Sequence, residues 1–351
     1  CGGYVAAGKM EEEEVIRSLF REICKRDVDS EEHAKATIID GIEKGKQTPI
    51  REIIDDEKSV KREMLINDGD MSFVSSDDED FRWIDDYSRG KIIMGLDTGD
   101  KVLDEYFRYK KEFVIVNGHS NVGKTTTMLY LIVNSAVRHG WKWILYSSEN
   151  RTASIKMNLM QFIADKKVHD MTYAERKSAF QWVQQHFTII NNNQVYSYAD
   201  IILFMEKVMR QQHVDAIFVD PYNSLKIDMK TNAISTHEYH YEAASEFLTF
   251  STSRDIAVWL NMHAVTEAQR RKGDDGFLTV HRKVQAREPN IKKMSELHVR
   301  KVRDVETGGG PTIIDDPYLL LMNLSHTGFT NMTGTKRLFH PINFVGKQSK
   351  I

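Results

Sequence analysis

The chain is poor in the residues that staple or punctuate small secreted folds: among 351 residues there are two cysteines, Cys1 and Cys24, and six prolines. Two thiols near one end, without metal-ligand spacing, argue against a disulfide framework or a zinc site and point to a reducing compartment. No apolar run approaches the roughly 20 residues needed to span a bilayer. No charged-then-apolar signal peptide opens the sequence. A cytoplasmic location with no membrane partner is therefore expected. A dominant charge is missing too, since 48 basic against 51 acidic residues leave a net charge of −3. No global basic field announces nucleic acid, so any such contact must come from local loops. What remains is 41% hydrophobic and 28% charged, ordinary for a soluble globular chain. The length suggests roughly two domains.

The stretch from Glu112 to Thr127 organises the rest. Phe113 to Val116 is a short continuous apolar run, the pattern of a strand buried on both faces. Gly118 to Thr125 then fits G-x-x-x-x-G-K followed by Ser or Thr at every fixed position. Phosphate binding needs backbone N–H groups turned inward at a helix N-terminus, which Gly118 and Gly123 permit. The candidate nucleotide-binding residues are thus Gly118, Ser120, Asn121, Val122, Gly123, Lys124, Thr125 and Thr126. Lys124 supplies a point charge for the β- and γ-phosphates, and Thr125 a hydroxyl for Mg²⁺. ATP or another NTP, with Mg²⁺, is the implied ligand.

Before this motif, Val15, Ile16, Leu19, Phe20 and Ile23 recur at helical spacing from Glu11 to Cys24, behind an acidic first turn. A second helix is expected from Ser30, a good N-cap, to Lys44, ahead of Gly45 and Pro49. Two helices bury too little surface to stand alone, so residues 1–50 read as part of a module that extends before Cys1. Residues 51–90 have acidic linker composition, dominated by Asp55 to Glu57, Asp77 to Asp80, and Asp85 with Asp86. Phe81, Trp83, Ile84 and Tyr87 interrupt it, either docking the linker on a neighbour or packing on their own domain.

Residues 91–351 read as one α/β domain. A turn and short helix fall between Leu96 and Phe107. Strands are expected at Trp141 to Ser147, Phe187 to Asn191, Ala216 to Val219, Ala257 to Asn261 and Phe277 to His281. Helices are expected at Thr125 to His139, Arg151 to Ala164, Thr172 to His186, Tyr198 to Gln212 and His237 to Ser253. Strands alternating with helices argue for a mostly parallel sheet with helices on both faces.

The strand ends decide the chemistry. Val214 to Asp220 is an apolar strand ending in an acid able to hold Mg²⁺ or its water shell, and Asp215 reads as a turn acid. Glu149 follows the second strand at the carboxyl edge, where ligands bind; it either orients and deprotonates attacking water or begins the next helix. His263 ends another apolar strand, as a phosphate sensor or as a structural histidine. Lys301 and Arg303 lie two apart on an expected strand and so share a face, with Gly308 to Gly310 as a following turn; an exposed basic strand is the alternative. Two loops carry cations: Lys226 and Lys230 after Asp220, and Arg270, Arg271 and Lys272 after His263.

Taken in order, Gly118 to Thr125, Ser147 to Asn150, Ile217 to Tyr222, Leu260 to Glu267 and Lys301 to Arg303 resemble the motifs of replicative hexameric helicases with RecA-like cores. These are the DnaB and Twinkle type of superfamily four, and the look is of a phage member. The resemblance covers roughly Ile92 to Phe329. It implies a RecA-like P-loop NTPase core, a ring-shaped homohexamer with ATP sites between subunits, and single-stranded DNA threaded through the channel. Carried onto this sequence, Lys124 and Thr125 become phosphate and Mg²⁺ ligands, Asp220 the metal acid, Glu149 the catalytic base and His263 the γ-phosphate sensor. Lys301 and Arg303 become the pair reaching the next subunit's site, and Arg282 a contact to the nucleotide base. The five loop cations become DNA contacts, six copies of each forming a funnel for a phosphate backbone. The second loop, Thr266 to Gly276, is shorter than the family pattern.

Gly2 to Gly8 and Gly41 to Ile50 resemble the helical tail of archaeo-eukaryotic-type primases. No primase carboxylates are identifiable, so the resemblance implies a primase module elsewhere in a full-length chain rather than activity here. The expected function is an ATP-driven helicase that unwinds forked duplex DNA 5′ to 3′, the polarity being the family's. A RecA-like recombinase and a nucleotide-gated DNA-binding platform are the alternatives; His263 and the primase-like flank oppose the first, Glu149 and Arg303 the second.

Overall fold

The computed structural model describes residues 5, 11–23, 31–47, 77–92, 95–227, 236–263, 278–302, 308–313, 315–331 and 336–344. Lys230, Arg270, Arg271, Lys272 and Arg303, with most of the primase-like stretches of the first 50 residues, lie outside them. Two compact units form, Cys1–Arg89 and Gly90–Ile351.

In the first unit, helices α1 (Glu12–Ile23) and α2 (Glu31–Lys46) pair through Val15, Ile38 and Ile42, which are buried, with Leu19 and Phe20 packed against them. Lys46 adds an ion pair to Glu12 at 2.7 Å. α2 runs past the expected stop at Gly45, since a glycine near a helix end weakens but does not forbid the last turn. The acidic stretch differs more from expectation. Asp77–Ser88 winds into a helix, α3, because four carboxylates in its first turn complement the positive end of the helix dipole. Trp83 and Tyr87, one turn apart, stack at 5.7 Å. None of its residues is buried, and Phe81, Trp83, Ile84 and Tyr87 are all exposed.

The second unit is built on a nine-stranded sheet, ordered β3-β2-β4-β5-β1-β6-β7-β8-β9. The strands are β1 (Phe113–Asn117), β2 (Trp143–Ser147), β3 (Phe187–Ile189), β4 (Ala216–Asp220), β5 (Ala257–Asn261), β6 (Leu278–His281), β7 (Met294–Val299), β8 (Tyr318–Met322) and β9 (Phe329–Thr330). From β3 to β6 every pairing is parallel, and from β6 to β9 every pairing is antiparallel. β2, β4 and β5 are buried at every position because helices cover both faces. One face carries α4 (Lys124–His139), α5 (Thr152–Ala164) and α6 (Tyr173–His186); the other carries α7 (Tyr198–Met209) and α8 (Thr236–Arg254). Capping boxes start α6, Thr172 with Glu175, and α7, Ser197 with Asp200.

The antiparallel strands β7 to β9 are not legible in the sequence. β8 alternates buried with half-buried residues, and β7 sets Ser295, Leu297 and Val299 toward the core between Glu296 and His298. Mixed polarity hides such strands from a search for apolar runs. β7 also ends at Val299, so Lys301 lies beyond the strand on which its spacing from Arg303 would place it. Asp215 serves as the expected turn acid, accepting the Lys142 N–H at 2.9 Å.

Trp259 on β5 packs edge-on against Trp143 at 4.8 Å and stacks on Tyr109 at 6.3 Å, at the centre of the larger core. Its Nε1 is buried without a hydrogen-bond partner. Trp259→Ala should cost about 3–5 kcal/mol in chemical denaturation. Trp259→Phe, which removes the unpaired N–H but keeps a ring, should cost less than about half of that.

Candidate nucleotide site

The parallel strands all end at one edge of the sheet, and the loops leaving them there carry the polar groups. The phosphate loop connects β1 to α4. At Gly118 (φ 152°) a Cβ would collide with the Val280 carbonyl and press on the Lys124 stem, so only glycine lets β6 and the lysine approach this closely. Gly123 (φ 88°) caps α4 without a side-chain hydrogen bond, leaving the first N–H groups of the helix turned toward the loop. Val122 is buried and anchors the loop, while Ser120 and Asn121 are exposed and Thr126 is half-buried.

Lys124 is 4% exposed. Its ammonium donates to the carbonyls of Gly118 (2.6 Å) and His119 (2.7 Å) and lies 3.1 Å from His263 Nδ1. Burial pulls the Lys124 pKa below its ordinary value, and the carboxylates of Asp220 and Glu149 oppose that shift. Asp220, 3% exposed, ends β4. Its Oδ2 accepts from Thr125 Oγ1 at 2.9 Å, and its Oδ1 from Asn261 Nδ2. Burial pushes the Asp220 carboxyl above the usual carboxylate range; the bonds from Thr125 and Asn261 hold it back, and Glu149 pushes it further up.

A buried carboxylate facing neutral donors, with a threonine hydroxyl beside it, is an oxygen set suited to a hard divalent cation. Among the described residues no group of three His, Cys, Asp or Glu side chains could hold a metal alone. An ion at Thr125 and Asp220 would therefore complete its shell with phosphate oxygens and water, as Mg²⁺ does.

Glu149 stands exposed after β2, with Oε1 3.4 Å from His263 Nε2. The imidazole's other nitrogen faces Lys124 and, at 3.5 Å, Ser120 Oγ. The structure thus brings Lys124, Thr125, Asp220, Glu149 and His263 together. Two further residues are missed by sequence reasoning. Asn261 holds Asp220, and Asn223 Oδ1 accepts the His263 backbone N–H at 2.7 Å. Both follow or end strands that finish at the ligand edge, which is the signal that could have found them.

Arg282 follows β6 and lies against the outside of the phosphate loop, with Nη2 3.4 Å from the Asn121 carbonyl. Lys226 is exposed at the same edge; its backbone N–H donates to the Tyr196 carbonyl (2.7 Å) and its carbonyl accepts from the Tyr239 hydroxyl (2.9 Å). Lys301 is elsewhere. It lines a small hollow with Val114, Leu278 and Val299, at the edge where the parallel strands begin. The length of β1, five residues or about 16 Å, separates that edge from its own phosphate loop.

Comparisons with known proteins fit this geometry. The solved ATPase domain of a DnaB-like helicase superposes with a TM-score of 0.59 at 15% identity, covering 74% of this chain and 99% of that one. A DnaB-like replicative helicase, described with its interactions with primase, superposes with a TM-score of 0.57 at 15% identity, covering 87% of this chain and 80% of that one. The chain has the fold of a DnaB-type helicase ATPase domain. Its sequence is also similar to the Twinkle homolog protein, chloroplastic/mitochondrial, of Arabidopsis thaliana, at 26% identity over 182 residues. That match covers 48% of this chain and 25% of the relative. No protein-family profile matches the chain. Among the described residues, no helix of this DnaB-type fold is long and apolar enough to cross a membrane.

The raised pKa of Asp220 carries a testable consequence. A carboxyl whose folded pKa lies above its unfolded value destabilises the fold at neutral pH, and that cost is relieved as pH falls through the folded pKa. Asp220→Asn should therefore melt at or above the wild-type temperature in metal-free buffer at pH 7, because a flipped Asn261 amide can satisfy the new one. The stabilisation that wild type gains from Mg²⁺ with nucleotide should vanish in this variant, as thermal melts with and without Mg²⁺ would read.

Proposed function

We propose that this chain is the motor domain of a replicative helicase of the DnaB and Twinkle type. It hydrolyses ATP or another NTP with Mg²⁺, assembles as a homohexamer, and drives single-stranded DNA through the ring to unwind a forked duplex. The observation that carries the reading is the convergence of Lys124, the Thr125–Asp220 pair, Glu149 and His263 at the end of a RecA-like sheet.

Each group has a role matched to its surroundings. The phosphate-loop N–H groups and Lys124 bind the triphosphate, Lys124 exchanging the carbonyls of Gly118 and His119 for phosphate oxygens. Thr125 and Asp220 hold Mg²⁺, which neutralises charge on the β- and γ-phosphates. Glu149 is exposed to water and takes the proton of the attacking molecule. His263, between Lys124 and Glu149, senses the γ-phosphate. Arg282 lies beside the loop where a base could stack.

The remote edge occupied by Lys301 supports assembly into a ring. Lys301 is too far from its own phosphate loop to serve it, so it and Arg303, two residues on, act in the neighbouring subunit's site. Lys226 is a DNA contact on a pinned backbone, joined by Lys230, Arg270, Arg271 and Lys272. A primase module in the full-length protein fits the relative described with primase.

ATP hydrolysis should be stimulated by single-stranded DNA, the protein should open a forked duplex, and Lys124→Ala should do neither. Turnover equal to wild type in that variant, or indifference to DNA, would defeat the reading. The trans role has its own check. Arg303→Ala should lower turnover by about 10³ or more while still binding ATP. Mixing it with Lys124→Ala should restore part of the activity, because some boundaries then join an intact phosphate loop to an intact arginine. No recovery in rings shown by mass to be mixed would mean that Arg303 acts within its own subunit.

A further inference from the structure

The imidazole of His263 is held between Lys124, Ser120 and Glu149, yet β5 ends at Asn261, two residues earlier. The sheet therefore does not fix the ring. Met262 is tied by its N–H to the Val116 carbonyl at 2.8 Å, but the next N–H, that of His263, is taken by a side chain, Asn223 Oδ1 at 2.7 Å. Asn223 sits on a firm mount, the 3₁₀ turn Tyr222–Ser224 directly after β4. On one side of it the buried Tyr222 hydroxyl bonds His240 Nδ1 at 2.9 Å. On the other, Ser224 Oγ donates to the Pro221 carbonyl at 2.8 Å and meets Ser148 Oγ.

We propose that Asn223 is a positioning residue for nucleotide hydrolysis, its carboxamide oxygen holding the His263 backbone so that the imidazole stays between Lys124 and Glu149. The proposal rests on the hydrolase reading above. Asn223 and the bond it accepts are both exposed, so water replaces the acceptor when the side chain is cut back, and the orientation of His263 suffers rather than the stability of the fold. The neutrality of the amide matters as well. An aspartate would accept the same bond but add negative charge close to Glu149 and Asp220, where a triphosphate must bind.

The test compares Asn223→Ala and Asn223→Asp with wild type in steady-state ATP hydrolysis and in thermal melts. The alanine variant should lose about tenfold in kcat while KM for ATP and the melting temperature stay near wild type. The aspartate variant should keep kcat within about threefold of wild type but show a raised KM, since geometry is preserved and repulsion added. An alanine variant with unchanged kcat, equal kcat losses in both variants, or a fall in melting temperature that parallels the lost activity would each overturn the proposal. A wild-type protein without turnover would defeat the hydrolase reading and this proposal with it, whereas active wild type beside an equally active alanine variant defeats this proposal alone.

Discussion

The site depends on one buried charge. Asp220 ends a strand that is covered on both faces, and two neutral donors share its carboxylate: Thr125 from the first turn of α4 and Asn261 from the end of β5. Leaving a carboxylate in such a place is unfavourable unless it is bonded, so these two contacts fix the phosphate-loop helix against the strands beside it. The same carboxylate offsets part of the burial that depresses Lys124. A divalent cation next to Asp220 would neutralise what the protein donors leave uncompensated, and that makes the pair a metal site rather than a structural bond.

The sheet's two halves divide the work. The parallel half buries both faces and so has nowhere to place polar side chains except its ends, which is why Asp220, Asn261, Glu149 and His263 crowd one edge. The antiparallel half, β7 to β9, keeps its core side against α4 while setting Glu296 and His298 on the other face, where Glu296 bonds His281 at 2.9 Å. Reversing strand direction at β7 carries the chain back toward the opposite edge, and Lys301 is delivered there. The loop turn at Arg337 is secured separately: its guanidinium pairs with Asp165 at the end of α5 and donates to the Thr327 carbonyl at 3.1 Å.

Much of the fold is readable because its signals are local. Phe113 to Val116, Ala216 to Val219 and Ala257 to Asn261 are continuous apolar runs, and each is a strand of the parallel half. Tyr173–His186 and Tyr198–Met209 begin behind Thr172 and Ser197, whose capping needs are written within four residues of sequence. The failures have an equally plain cause. Met294–Val299 mixes Ser295, Glu296 and His298 with apolar residues, and only the cover over one face makes it a strand. Asp77–Ser88 has the acidity of a linker but also the arrangement of acids that starts a helix.

By itself the sequence determined the phosphate loop, the order of strands and helices along the parallel half, and the acids and the histidine that end those strands. These follow from backbone freedom at glycine, side-chain period and burial, all of which act over a few neighbouring residues. Only the tertiary structure decided which of those groups meet. Lys124 and His263 are 139 positions apart and Asn223 and His263 are 40, and nothing local brings them together. Their contact depends on β4, β5 and β1 lying side by side in that order, a choice set by packing both sheet faces at once and not by any one segment.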